Sequence, residues 1–225
     1  MATIKNKTDL YCIIILFIIA GIILIFGTYP AWAGPNSSAG CALDMDYTTH
    51  DYDPHISSKD IETAITAQAN DEIWVAVVAQ NVINLDTYQA EVDFDIKCLE
   101  FMEGYEDNPL GGIDNLLKKN GGTSVGFSVT EKRPGTINIA NSLIGDDETE
   151  APEGSGIIAL LKFKVLDCTS DHRMTLSDVN YLDSGGTDDS ITAFINSGSP
   201  GDVNRNGKIG IEDAVYILQI VSGIR

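Results

Sequence analysis

An all-β fold, an antiparallel two-sheet sandwich of jelly-roll type with about nine strands, is what the sequence predicts, on three observations. Between about residues 60 and 198 apolar and polar residues alternate with period two, the signature of strands with one buried face. Gly, Pro, Asn and Asp break that alternation into seven to nine short runs. Long apolar stripes of helical period are missing from the same region, and only Ile113 to Lys119 reads as briefly helical. Short strands with this punctuation pack as two sheets face to face.

Taken in order, Ile73 to Ala79 is apolar at every position, on both faces, which predicts a central strand covered on both sides. In the next run Tyr88, Ala90, Val92, Phe94 and Ile96 form an inward set, and Gln89, Glu91, Asp93 and Asp95 a wet face. Val125, Phe127 and Val129 alternate with polar neighbours over 124–130, and Ile137 and Ile139 do the same. Ile157, Ala159, Leu161, Phe163 and Val165 are the inward set of a longer strand, whose stretch Ile157 to Leu161 is again apolar on both faces. Met174 with Leu176, then Ile191, Ala193 and Ile195, supply the last two strands.

The two ends differ from this body. Lys5 and Lys7, the apolar run Tyr11 to Phe26, and Ala31-Trp32-Ala33 before Gly34 have the order of an export signal cleaved after Ala33. An uncleaved anchor is the competing reading, since the run is long for a signal core. The organisation that follows is a signal segment over 1–33, an N-terminal segment over 34–59 in which the first strand is not placed, the sandwich over 60–198, and a short tail over 199–225 joined by Ser197-Gly198-Ser199-Pro200-Gly201.

That tail, GDVNRNGKIGIEDAVYILQIVSGIR, carries oxygen donors at calcium-loop spacing. With Asp202 as position 1, Asn204 stands at 3, Asn206 at 5, Gly207 at the sharp turn, Lys208 at 7, where a backbone carbonyl suffices, and Asp213 at 12. Hard oxygen donors predict Ca2+, held weakly because two carboxylates face the ion. Ile211 to Ser222 would be the following helix.

The formal net charge is −19, which argues against nucleic acid as a partner and suits an exported, secreted or cell-surface protein. His50, His55 and His172 are not at metal-ligand spacing, there is no G-x-S-x-G elbow, and the crowded acids of GDDETEAPEG form a solvated loop rather than a glycosidase pair. No enzyme is predicted. Beyond the signal segment Cys41, Cys98 and Cys168 remain, compatible with one disulfide and one spare thiol or with reduced, buried cysteines. Trp74, Tyr105 and Tyr181 are the aromatics that a carbohydrate-binding face would draw on, and polysaccharide is the alternative partner class.

Two resemblances sharpen this reading. Asp71 to Val82 (DEIWVAVVAQNV), Tyr88 to Val92 (YQAEV) and Leu99-Glu100-Phe101, with Ser155 to Lys164 (SGIIALLKFK) and Leu176 to Val179 (LSDV), resemble a cohesin domain, the receptor module of cellulosome-type scaffolds. The tail resembles a single dockerin type I repeat, with Ile211 and Glu212 where the family commonly has a small hydroxyl pair. The cohesin resemblance implies a nine-stranded jelly roll that binds dockerins across one sheet face, here the face carrying Gln89, Glu91, Asp93 and Asp95. It also implies a Cys98–Cys168 disulfide with Cys41 free, because in the cohesin arrangement the strand starting near Leu99 lies antiparallel to the one ending near Leu166.

Overall fold

In the computed structural model, the chain divides into two compact units at the junction of Ala33 and Gly34. The residues described are 34–47, 52, 61–111, 115–144, 150–168 and 173–191, together with the backbone of 193–195. Among the described residues ten strands follow in order: β1 (Gly40–Asp44), β2 (Glu72–Val82), β3 (Leu85–Asp93), β4 (Leu99–Tyr105), β5 (Ser124–Arg133), β6 (Thr136–Leu143), β7 (Gly154–Val165), β8 (Thr175–Asp183), β9 (Asp188–Ser190) and β10 (Ala193–Ile195). The first sheet runs β10-β1-β2-β7-β4 and the second β5-β6-β3-β8-β9. The pairs are antiparallel except β1 with β10, which is parallel, so the expected purely antiparallel sandwich is corrected at one edge. Among the described residues the helical expectation over 113–119 reduces to a 3-10 turn, Leu116–Lys118, opened by Asn115 accepting from Leu117 N.

The inner faces meet in one core. Val75, Val77, Leu161 and Phe163 of the first sheet pack against Tyr88, Ala90, Val92, Ile137 and Ile139 of the second. Each of the valine, leucine, isoleucine and phenylalanine side chains taken from water stabilises the fold by about 1.5–3 kcal/mol. β2 and β7 are the neighbours at the middle of their sheet and are apolar on both faces for a visible reason. Ala42, Ala76, Val78, Ile157 and Leu160 on the outer side are covered by Tyr47 and Ile61, with Tyr52, Trp74 and Tyr105 packed around them. Asp44, wholly buried at the end of β1, holds this cover down by accepting from Tyr52 Oη at 2.6 Å, Asp46 N at 3.0 Å and Glu62 N at 3.2 Å. Burial, with Asp44 beside it, keeps the Tyr52 hydroxyl protonated far above its ordinary range.

Several register shifts interrupt strict alternation, and two of them move a side chain that period two had placed. The register passes from Val77 opposite Ala159 to Val78 opposite Ile157, leaving Ile158 as the extra residue of β7. Ile158 therefore takes the inward place expected of Ile157, which turns to the outer cluster. In β5, Gly126 at φ +79° lies in a bulge between Val125 and Ser128. Val125 is consequently 52% exposed rather than core. Asp178, at φ +47°, lies in the irregularity of β8 between Ser177 and Asn180.

Two other expectations are corrected. β3 ends at Asp93, so Ile96 falls in the following turn and is 51% exposed. Ile191, Ala193 and Ile195 do not share a strand: Ile191 N bonds to Val179 O beside β8, and the chain then crosses to the other sheet as β10. The segment left without a placed strand, 34–59, contains β1, so the sandwich takes in residues ahead of 60.

The bulge at Ile158 also joins the sheets. Its carbonyl, out of step with the ladder, accepts Tyr88 Oη at 2.6 Å and Asn115 Nδ2 at 2.8 Å. Tyr181 Oη repeats the device on Gly40 O at 3.1 Å. Tyr88→Phe is expected to cost about 1–2 kcal/mol, the worth of a buried hydrogen bond without a change of shape. A denaturation midpoint equal to that of the parent would show that Asn115 alone satisfies the carbonyl.

Candidate partner-binding face

Among the described residues the second sheet turns an uncovered face outward, and the register fixes who stands beside whom. Thr87 is flanked by Ser142 and Leu182, Gln89 by Ala140 and Asn180, Glu91 by Asn138 and Ser177, and Asp93 by Thr136 and Thr175. Partners directly opposite in antiparallel strands project to the same side, so these residues form four rows across β6, β3 and β8 whose side chains, Leu182 apart, are small or polar. Cross-strand hydrogen bonds stiffen the face, Thr87 Oγ1 with Ser142 Oγ at 2.7 Å among them.

The expected stripe of wet carboxylates is altered here. Glu91 is 5% exposed and ion-paired with Lys132 of β5. Asp93 accepts from Thr136 Oγ1 and from Ser177 Oγ, the latter at 2.8 Å, and faces Arg133 Nη2 at 3.4 Å. Both acids are thus spent inside the sheet. Asp95 lies beyond the end of β3, in the turn to β4, where it accepts from Lys97 N at 2.9 Å and its carbonyl from Cys98 N at 3.0 Å. Gln89 is different. It sits mid-face, half-buried, and among the described residues its side chain makes no hydrogen bond. Around it lie Asn138, Ala140, Asn180 and Leu182, and the Asp178 bulge, none of which the sequence reading had singled out.

Glu106, at one end of the sandwich, gathers Ser124 Oγ, Asn141 Nδ2 at 2.9 Å and Lys118 Nζ at 3.4 Å. Burial pushes its carboxyl up, but those hydrogen bonds and the ammonium outweigh it and hold the group below its usual range.

The three aromatics considered for sugar binding are divided. Tyr181 is core. Trp74 and Tyr105 meet on the outer side of the first sheet with centroids 5.2 Å apart, but their planes are tilted by 41°. Lys162 Nζ lies over the Trp74 ring at 5.5 Å while pairing with Glu72 at 2.6 Å. A tilted pair with a cation on one ring offers no flat strip for pyranose faces.

Cys98 and Cys168 are joined as a disulfide, with Cα atoms 5.3 Å apart, and Cys41 is a buried free thiol. Asp202, Asn204, Asn206, Lys208 and Asp213 lie outside the described residues. No group of three or more metal-ligating side chains occurs among the described residues, and no described helix is long and apolar enough to cross a membrane.

Against solved structures, the chain is similar to a type I cohesin–dockerin complex from Clostridium thermocellum, with TM-score 0.51 and 10% identity over 72% of this chain and 92% of that one. The sandwich has the cohesin fold. Other similar structures are the sixth cohesin of scaffoldin B from Acetivibrio cellulolyticus in complex with a Cel5 dockerin mutant (TM-score 0.49, 14% identity, 71% of this chain and 95% of that one) and a non-cellulosomal cohesin from the archaeon Archaeoglobus fulgidus (TM-score 0.43, 17% identity, 57% and 78%). No protein-family model and no curated protein matches the sequence. The likeness is therefore one of fold.

Proposed function

We propose that the protein is an exported, non-catalytic assembly module whose sandwich receives a dockerin-type protein on the outer face of β6, β3 and β8, in a complex concerned with polysaccharide degradation or cell-surface assembly. The observation that carries this reading is the contrast between the two outer faces. The first sheet is closed over by Tyr47, Tyr52 and Ile61, whereas the second presents a stiff, polar, self-neutralised surface with Gln89 at its centre. Such a surface suits directional docking, because its few unspent hydrogen-bonding groups must be matched by the partner.

In the same proposal residues 202–213 are a calcium loop of the chain's own, a second connection to an assembly. The donor set fits: carboxylates of Asp202 and Asp213, amide oxygens of Asn204 and Asn206 and the Lys208 carbonyl are all hard oxygen ligands. Affinity would be weak, roughly 10⁻⁵ to 10⁻³ M, and Asp202→Ala should abolish the calorimetric calcium signal.

Calorimetry of the exported protein against a panel of dockerin-type modules tests the face. Gln89→Arg and Leu182→Arg are expected to weaken binding at least about 30-fold, some 2 kcal/mol each, and Trp74→Ala to leave it unchanged. Retention by soluble polysaccharide that Trp74→Ala removes, with no protein captured, would replace this reading by carbohydrate binding on the opposite face.

A further inference from the structure

Gly34 follows the Ala-Trp-Ala sequence and is the first residue of the larger compact unit. From there the backbone enters a tight turn, with Ser37 N donating to Gly34 O at 3.1 Å and Ala39 N to Asn36 O at 2.9 Å. Asn36 is fully buried and clamps the β2–β3 turn, its Nδ2 donating to Ile83 O at 3.1 Å and its Oδ1 accepting from Ile83 N at 2.8 Å. Its own amide donates to Asp189 Oδ2 at 2.8 Å. The residues just after the signal sequence are therefore structural parts of the sandwich.

Asp189 is the anomaly. It is the middle residue of β9, points inward and is 7% exposed. Among the described residues the Asn36 amide is its one hydrogen-bond donor and no cation pairs with it. Tyr181, opposite it in the register, sends its hydroxyl to Gly40 O instead. A carboxylate so buried, with one neutral donor, lacks the compensation that buried charge requires. The Asp189 carboxylate also stands where a Cβ on Gly34 would have to be, with Cγ 2.6 Å from that position. The backbone of Gly34 thus lies directly against the unpaired acid, and any side chain there would push the acid away.

We propose that hydrolysis of the Ala33–Gly34 bond during export places a new α-ammonium against Asp189, so that processing completes the fold with a buried ion pair that the precursor lacks. Water adds across the amide under a membrane signal peptidase. The water oxygen leaves on the Ala33 carboxylate, and the Gly34 nitrogen, taking up both of the water's protons, changes from a neutral amide with one donor into a cation with three. The paired charge then satisfies Asp189 and locks Asn36 on the β2–β3 turn.

Intact mass of the exported protein should give Gly34 as its first residue. Its melting temperature should exceed by about 3–6 °C that of a variant with one alanine inserted ahead of Gly34, whose charge is carried a residue too far. In the near-isosteric Asp189→Asn background, where Asn36 N keeps an acceptor, the two termini should melt within about 1 °C of each other. Acylation of the native α-amine should run about tenfold faster in Asp189→Asn than in the parent, as one unit of lost pKa elevation implies. A different mature N-terminus, equal melting of the two Asp189 proteins, or a difference that survives Asp189→Asn would each overturn the proposal.

Discussion

Removing the Cys98–Cys168 disulfide, by reduction or by paired Cys→Ser substitution, is expected to lower stability by about 4 kcal/mol. The bridge joins positions 70 residues apart, and opening a loop of that length frees the unfolded chain by about this amount. The native geometry makes the link local. Leu99 stands opposite Val165, and Leu166 N donates to Cys98 O at 2.8 Å, so the two cysteines lie just beyond the last rung between β4 and β7. β4 is the edge of its sheet and hydrogen-bonds to β7 alone within it, so loss of the bridge falls first on that strand. Typical domains hold only about 5–15 kcal/mol in total, and the shift should be plain in a denaturant midpoint. A loss below about 1 kcal/mol would mean that the unfolded chain gains little freedom on opening, contrary to the chain-entropy argument. Cys41 gives the control. Burial pushes its thiol up to about 12, so it should resist alkylation until the protein unfolds.

Period two made β3 and β6 legible because both are interior strands with one dry face, and it made β2 and β7 legible because their second face is covered. What hid was whatever depends on a partner distant in sequence. The bulges at Ile158, Gly126 and Asp178 are set by the register of neighbouring strands. β1 is short, and its buried Asp44 does not read as a core residue until Tyr52 and Glu62 are seen bonding to it. Gln89, Glu91 and Asp93 share one side of β3, but the wet acid stripe expected there is altered, since Lys132 and Arg133, about 40 residues away in sequence, pair with the two acids. The basic tip Lys132-Arg133 ahead of the Pro134-Gly135 turn was the available signal: in a chain so acidic, two adjacent cations at a hairpin end ask for carboxylates across the ladder.

Phe163→Ala should be among the most damaging single substitutions in the sandwich, at about 3–5 kcal/mol. Phe163 is fully buried in β7 and stands between Ile73 and Phe101 in the register. Its ring takes edges from two others, Phe94 at 5.2 Å and 69° and Phe101 at 5.6 Å and 64°. Those rings come from different places: Phe101 from the neighbouring strand of the same sheet, and Phe94 from the residue just past β3 of the opposite sheet. Truncation therefore opens a cavity where the two sheets meet, and neither Phe101, held in β4, nor Phe94, whose amide is bonded to Gly135 O, can close it without giving up its backbone position. At 2–4 °C per kcal/mol for a domain of this size, melting should fall by roughly 6–20 °C. Trp74→Ala supplies the contrast, since Trp74 is half-buried on the outer side of the same sheet and water can take its place. Its loss should be about 1–2 kcal/mol. Calorimetric melting of the two variants side by side decides the matter: equal losses would mean that the outer cluster, and not the space between the sheets, carries the stability of the fold.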